Sequence, residues 1–504
     1  MKLEIERLSE SQSVQLSPNV RLLDQLIACD IPVNAACGGK GTCHKCRVQV
    51  LRGFLAKTLN DEKAFSEAEI QAGWRLSCQA RPKASLKIKV PTVQSFKVKP
   101  EIRGDKYFWS QTTLNADRHR LVCDLGSTGV SLAVIDTADQ NTPLEAHMLN
   151  RQVIFGADVM TRLQAAQEGK TKELKQALHE TVEKCLQELV KVNPNIKNLF
   201  ETPILMAGNS AMTTFVHEWS HEQLAVSPFQ PEKKSSDRSL LLSSTFSGVM
   251  IETLPLLAGF VGGDTVAGIF EAMSRPESKQ GDWLLVDIGT NTEVVYWGKD
   301  RTWITSAPAG PAFEGGNIFK GMRAEPGAIS EVRFVDSHYK FKTIGDDVAR
   351  GICGSGLMDL IHEGLIAKDI TGDGYLPKGS IVVTDEISLT PDDVREFQLA
   401  KSATRTAIDL LIRRAGSKPE TLFLAGTFAQ FLNIEFIKDL GLLPKNVSVI
   451  VLGNASLTGV CKLAALQEIE REKFYCTLRD RVSPIELALQ DDFQEDFVRN
   501  LNFL

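Results

Sequence analysis

Apolar and polar residues alternate through LEIERL at the start of the chain and again through SLKIKV, where Leu86, Ile88 and Val90 share one face. Both stretches therefore read as half-buried strands. SVQL and KCRVQVLRG supply two further strands, and LLDQLIAC, between them, reads as a helix. Together they predict a small α+β unit that closes near residue 92. Beyond residue 120 the pattern repeats itself. LVCDLGSTGVSLAVID (121–136) and LLVDIGTNTEVVYWG (284–298) are each an apolar strand, an Asp, a Gly with hydroxylated neighbours, and a second strand. ILMAGNSAM (204–212) is echoed by LFLAGTFAQ (422–430), and GGDTVAGI (262–269) by GNASLTGV (453–460). Features recurring in one order in two halves predict a duplication folded into two similar lobes. The polar, lysine-rich stretch 93–118 between the first unit and the repeat is expected to be a solvated linker, with a docking strip for an acidic partner as the alternative. The expected divisions are thus 1–92, 93–118, 119–281 and 282–504.

At 504 residues, 43 % hydrophobic and a formal charge of −6, the chain can bury several cores and is not basic enough to suggest nucleic acid. No stretch approaches the roughly 18 uninterrupted apolar residues of a membrane span, and MKLEIERL has no signal-peptide core. A soluble cytoplasmic protein, independent of membranes, is expected. Cys29, Cys123, Cys185, Cys353, Cys461 and Cys476 are scattered without pattern, which suits a reducing compartment.

The remaining cysteines are not scattered. CGGKGTCHKC places Cys37, Cys43 and Cys46 within ten residues, and WRLSCQARP supplies Cys78 from a separate segment. Three thiolates at C-x5-C-x2-C spacing with a later fourth suit a 2Fe-2S cluster. Gly38, Gly39 and Gly41 let the loop pass close to inorganic sulfide. Structural zinc, which favours two paired half-sites, and idle thiols are the competing readings. Cys29 reads as a packing thiol.

The duplicated turns point to phosphate. Gly126 and Gly289 let each turn close tightly, so that the N–H groups of Ser127 and Thr128, or of Thr290 and Asn291, face phosphate oxygens. Asp124 and Asp287 precede their turns, where a carboxylate can hold Mg2+ through water. Either Asp alone reads as a hydrogen-bonded turn residue; two in matching repeats favour a nucleotide. Gly354, Ser355 and Gly356 open a helix whose N–H groups suit an anion, or form a tight loop with close backbone packing.

These residues resemble known families. The first unit resembles beta-grasp ferredoxins of the plant and adrenodoxin type, which carry electrons. DLGSTG resembles the first phosphate motif of the superfamily of acetate kinase, sugar kinases, actin and heat-shock chaperones, and DIGTNTE the second. FLAGTFAQF, with Gly426 and Thr427, resembles its adenosine motif. GGDTVAG, with Gly263 and Asp264, and NASLTGV resemble its connecting helices. The resemblance implies an α/β, two-lobed ribonuclease-H-like (actin-like) ATPase domain binding ATP and Mg2+ between the lobes.

The order of the two units, together with NRQVIFGADVMTRL, FVGGDTVAG, SAPAGPAFEGGNI, GICGSGLMDL, DVREFQLAKSA and IELALQDDF, resembles the reductive activators of corrinoid proteins. That implies ATP-dependent electron transfer from the cluster to the Co(II) corrinoid of a partner protein or methyltransferase, restoring Co(I). An upstream electron donor and a homodimer are expected with it. Ser306 and Glu314, in the loop after the second phosphate hairpin, are candidates to meet the corrinoid partner. Ser127-Thr128-Gly129 and Thr292 depart from the usual family residues but keep hydroxyl groups in the turns. A redox-sensing ATP-binding protein, an activator of radical dehydratases and a small-molecule kinase are the rival classes.

Overall fold

The computed structural model describes residues 1–7, 10–29, 31, 33, 37–41, 43–91, 100–156 and 158–503. In the N-terminal unit, strand Lys2–Arg7 pairs antiparallel with Glu10–Gln15 and parallel with Leu86–Lys89. Leu86–Lys89 in turn lies against Arg47–Arg52, and Trp74–Leu76 completes the sheet. The alternation read from the sequence puts Leu3, Ile5, Leu86 and Ile88 on one buried face. Helix Leu22–Ala28 covers that face with Leu22, Leu23 and Leu26. This is the expected beta-grasp sheet, with a core of its own.

The two halves of the remaining chain build the same motif twice. In the first lobe, strand His119–Leu125 runs antiparallel to Gly129–Asp136, which pairs with Asp139–Leu149. Ile204–Gly208 and Met250–Thr253 then add parallel to it. In the second lobe, Trp283–Asp287, Thr292–Trp297, Thr302–Ala307, Thr421–Ala425 and Ser448–Gly453 take the same places. The register repeats as well: Asp124 lies beside Ala207, and Asp287 beside Ala425. The echoed MAG and LAG sequences thus flank equivalent carboxylates.

Helices Gly263–Met273 and Ala455–Ala465 cross between the lobes. A Cβ on Gly459 would meet Ala267 O at 2.0 Å, so the helices are close enough for only a hydrogen to fit between them. Val266, Ala267, Val460 and Leu463 join apolar residues of both sheets into one core, while each lobe keeps a further cluster on its outer face.

The expected linker differs from the structure. Residues 93–99 lie outside the described residues, but Glu101–Arg103 pairs with Asp139–Leu149 as an edge strand of the first lobe. A short helix follows, Lys106–Gln111, capped by Asp105, which accepts from Phe108 N at 2.9 Å. Trp109 and Leu114 are buried in the lobe's core, and Asn193 Nδ2 donates to Trp109 O at 2.7 Å. Isolated apolar residues in a polar stretch carry no periodicity, so their burial was not visible in the sequence. Among the described residues no helix is long and apolar enough to cross a membrane.

Candidate functional site

Strand pairing assembles the thiols. Arg47 lies opposite Leu76, and Ser77 N donates to Cys46 O at 2.8 Å, which brings Cys46 and Cys78 together from segments some thirty residues apart. Their sulfurs interact directly, as do those of Cys37 and Cys43. These contacts and burial push the Cys43 and Cys46 thiols far up. The Cys46 contact and Gln79 Nε2, at 3.4 Å, draw Cys78 down. A 2Fe-2S cluster takes two protein ligands on each iron, and two sulfur pairs meet that demand. Among the described residues no three His, Cys, Asp or Glu side chains stand close enough together to hold a single ion, so the fit rests on the pairing and on the loop. Gly38 is held at φ 61°, and a Cβ there would meet Phe155 O of the first lobe at 2.6 Å. The loop therefore faces the ATPase body, and the charge of Lys45 interacts with Asp393 in the second lobe.

The two Asp-Gly turns face one cleft. Asp124 accepts from Asn454 Nδ2 at 2.8 Å and Ser456 Oγ at 2.7 Å, both at the start of helix Ala455–Ala465. Asp287, Asp264 and Glu293 lie near enough to interact with one another. Burial and then mutual repulsion push Asp264 up to about 6, Asp287 up to about 7 and Glu293 well above the carboxylate range. Burial also raises Asp124, against the pull of its two donors. Buried carboxylates that repel one another form an oxygen-rich site suited to a hard divalent cation such as Mg2+. Across the cleft, Glu314 joins the turns: Thr128 Oγ1 donates to its Oε2 at 3.3 Å and Thr290 Oγ1 to its Oε1 at 2.9 Å. Behind the first turn, Gly126 O, Ser127 O and Thr128 O accept from Asn150 Nδ2, Arg162 Nη2 and Asn150 N. That occupies the turn's acceptors; its N–H donors are what a phosphate would use.

Comparison with known proteins matches three stretches that together span most of the chain. A 2Fe-2S iron-sulfur cluster binding domain model matches residues 6–83, the RACo middle region matches 120–274, and the C-terminal domain of RACo, the ASKHA domain, matches 282–504. The corrinoid activation enzyme RamQ of Eubacterium limosum is 30% identical over 431 residues, covering 75% of this chain and 69% of that protein. This chain belongs to the RACo family. A further relative, the [Co(II) methylated amine-specific corrinoid protein] reductase of Methanosarcina barkeri, is 29% identical over 231 residues, 40% of this chain and 42% of that one. The solved structure of a reductive activator for corrinoid, iron-sulfur protein shares the fold, with a TM-score of 0.66 at 22% identity over 100% of this chain and 98% of that one. As a RACo-family protein the chain carries a 2Fe-2S cluster and an ATP- and Mg2+-binding ASKHA domain.

The remaining candidates take varied places in the RACo-family frame. Gly263 opens its helix against Gly208, and Asp264 joins the cleft carboxylates. Gly426, at φ 106°, lies against the second turn: a Cβ would meet Ile288 O at 2.6 Å and Asp287 Oδ1 at 3.3 Å. Thr427 beside it is exposed. Gly289 sits in the turn itself, where a Cβ would meet Asn291 O at 3.1 Å. At the glycine-rich helix start, a Cβ on Gly354 would lie 1.8 Å from Phe313 O and one on Gly356 2.1 Å from Ile329 O, while Ser355 Oγ donates to Ser330 O at 2.9 Å. Close backbone packing requires glycine at both positions. Ser306 and Glu314, considered for partner contact, turn inward instead; Ser306 Oγ donates to Glu293 at 3.1 Å.

Asn454, Ser456, Glu293, Asn150 and Arg162 were not singled out by sequence. The signal for the first two was their place in the repeated GNASLTGV, and for Glu293 a carboxylate inside an otherwise apolar strand. Cys29 packs partly against the ferredoxin core, as expected of a packing thiol.

Proposed function

We propose that this protein is an ATP-dependent reductive activator. It accepts an electron from an upstream donor and passes it to the Co(II) corrinoid of a partner protein or corrinoid-dependent methyltransferase, restoring Co(I). The observation that supports this reading is the contact, in one chain, of the thiol loop at Gly38 with the first lobe of a two-lobed body whose turns face a carboxylate-lined cleft. A bound 2Fe-2S cluster supplies one-electron chemistry at low potential, near −400 mV in plant-type ferredoxins. Cys37 with Cys43, and Cys46 with Cys78, would hold one iron each.

Moving one electron about 100 mV uphill costs about 2.3 kcal/mol, which ATP binding and hydrolysis readily supply. Asp124, oriented by Asn454 and Ser456, together with Asp264 and Asp287, would hold a hydrated Mg2+ through its bound waters. The turns Gly126–Thr128 and Gly289–Asn291 would take the phosphates, and Gly426 would let the adenosine loop lie against the second turn. Nucleotide entering between Thr128 and Thr290 would compete with Glu314 for their hydroxyls and so change how the lobes are held. A cytoplasmic location fits the absence of any disulfide among the described residues, and a homodimer belongs to the same proposal.

The test is direct. Dithionite-reduced protein, mixed with a Co(II) corrinoid protein, should generate the Co(I) absorbance with Mg-ATP and far less without it. Electron transfer indifferent to ATP across several corrinoid partners would overturn the activator reading in favour of a redox-sensing ATPase.

A further inference from the structure

The segment Asn150–Gln164 touches the first phosphate turn at one end and the thiol loop at the other. Asn150 holds the turn by its backbone N to Thr128 O and its Nδ2 to Gly126 O, each at 2.9 Å. Arg162 adds Nη2 to Ser127 O at 2.6 Å and reaches back with Nε to Gly156 O at 3.0 Å. On the other side the same segment carries the loop. A Cβ on Gly38, the residue after Cys37, would stand 2.6 Å from Phe155 O and 3.2 Å from Thr161 Cγ2, and Lys40 Nζ donates to Gln164 Oε1. A continuous path therefore runs from Ser127 through Arg162, Gly156 and Phe155 to the backbone beside a cluster ligand.

Two features suit this path to carry a signal. Arg162 is fully buried, and among the described residues its hydrogen bonds run to neutral acceptors: two backbone carbonyls, Gln152 Oε1 at 3.4 Å and Met212 Sδ at 3.6 Å. A guanidinium buried that way is costly, and an aliphatic side chain would fill the space at less cost. What the aliphatic chain would lose is the planar fork that ties two backbone segments together. The docked face, by contrast, is separable. The ferredoxin core and the first lobe's core are distinct. Beside the contact opens a cleft of about 430 Å³ lined by Arg21, Asp24, Glu168, Lys170 and Glu173 among others. A stiff strut meeting a surface contact between two separately packed cores is where coupling between the two sites would be carried.

We propose that Arg162 is a positioning residue that couples nucleotide at the first phosphate turn to the docking of the cluster loop on the first lobe. The proposal rests on the reading of residues 126–128 as a phosphate turn. A phosphate held by the turn's N–H groups orders Ser127 O, Ser127 O orders the Arg162 fork, and the fork sets the shelf at residues 155–156 on which Gly38 rests. By reciprocity, the state of the cluster loop changes nucleotide affinity by the same factor.

Hydrogen exchange followed by mass spectrometry, on the full chain with its cluster intact, tests this with and without Mg2+ and a non-hydrolysable ATP analogue. Calorimetry reports binding of the same analogue separately. In the parent protein, amides 37–41 should slow by roughly fivefold or more on nucleotide binding, the lower end of typical coupling. Arg162→Gln should bind nucleotide and protect residues 126–128 while losing the response at 37–41. Lys40→Ala and Gln164→Ala, at the exposed end of the path, should weaken that response while shifting nucleotide affinity by no more than the same coupling factor, and they decide the matter if Arg162→Gln does not fold. A parent protein that binds nucleotide with no change at 37–41, or a full response in either exposed variant, overturns the coupling. A parent that binds no nucleotide by calorimetry overturns the phosphate-turn reading itself, and this coupling with it.

Discussion

Replacing Gly426 by alanine probes the second phosphate turn with a single methyl group. The residue follows strand Thr421–Ala425 at φ 106°, and the added carbon would lie 2.6 Å from Ile288 O. That oxygen is backbone and cannot rotate aside as a side chain would. Holding alanine at such a φ costs about 1–3 kcal/mol, and forcing an extra methyl into a packed contact costs about 1–3 kcal/mol more. The lobe therefore either loses about 2–6 kcal/mol or relieves the clash by moving Ile288 and Asp287. Gly416 is a built-in control. It ends the helix Pro391–Ala415 at φ 68° with nothing within 4 Å of its missing Cβ. Alanine there meets only the left-handed strain of about 1–2 kcal/mol.

Titration calorimetry with a non-hydrolysable ATP analogue separates the two effects. Gly426→Ala should bind at least about tenfold more weakly, the equivalent of about 1.4 kcal/mol, while Gly416→Ala should match the parent and lose only a few degrees in Tm. The visible spectrum of the cluster should be the same in both. If Gly426→Ala binds Mg-ATP as tightly as Gly416→Ala does, the contact between this loop and the second turn is irrelevant to nucleotide, and the reasoning fails.

Further outcomes are as specific. Asp124→Ala and Asp287→Ala should each slow ATP hydrolysis by about 100-fold or more, since metal assistance is worth several kcal/mol and about 1.36 kcal/mol is tenfold in rate; parental rates in both would show the turns misread. Cys43→Ser or Cys46→Ser should lose iron and brown colour while the ATPase body melts as before, because the ferredoxin unit has its own core; a colourless parent holding one tightly bound zinc would contradict this. Acid should destabilise the first lobe through His179, which is buried, accepts from Leu242 N on Nδ1 at 2.9 Å, and is pushed by burial down to about 4. Because the folded state resists protonation, its contribution is present above about pH 6.5 and is lost as pH falls towards about 4, to a total of up to about 3 kcal/mol. Denaturant midpoints at pH 7 and 4.5 measure it, and His179→Gln should remove that share of the slope; an unchanged parental midpoint would exclude it.

Local features were legible in the order of the residues. Alternation at Leu86 and Ile88 and the apolar strands before Asp124 and Asp287 reappear as strands because periodicity records which face of an element is buried. The cysteine spacing and the duplicated Asp-Gly turns were legible for the same reason, since each chemistry is carried by neighbours in the chain. Contacts between distant segments became visible with the fold. Asn454 reaches Asp124 across 330 positions, Glu314 reaches Thr128 across 186, and Trp109 sinks into a core built from strands that follow it. Gly354 and Gly356 suited an anion site or close backbone packing by sequence, and the carbonyls of Phe313 and Ile329 supply the close packing. Arg162 looks like any arginine on an amphipathic helix until the fold closes over it. Local pattern fixes an element's faces, but which element it meets depends on the topology of the whole chain, where burial and unpaired backbone groups must be satisfied together.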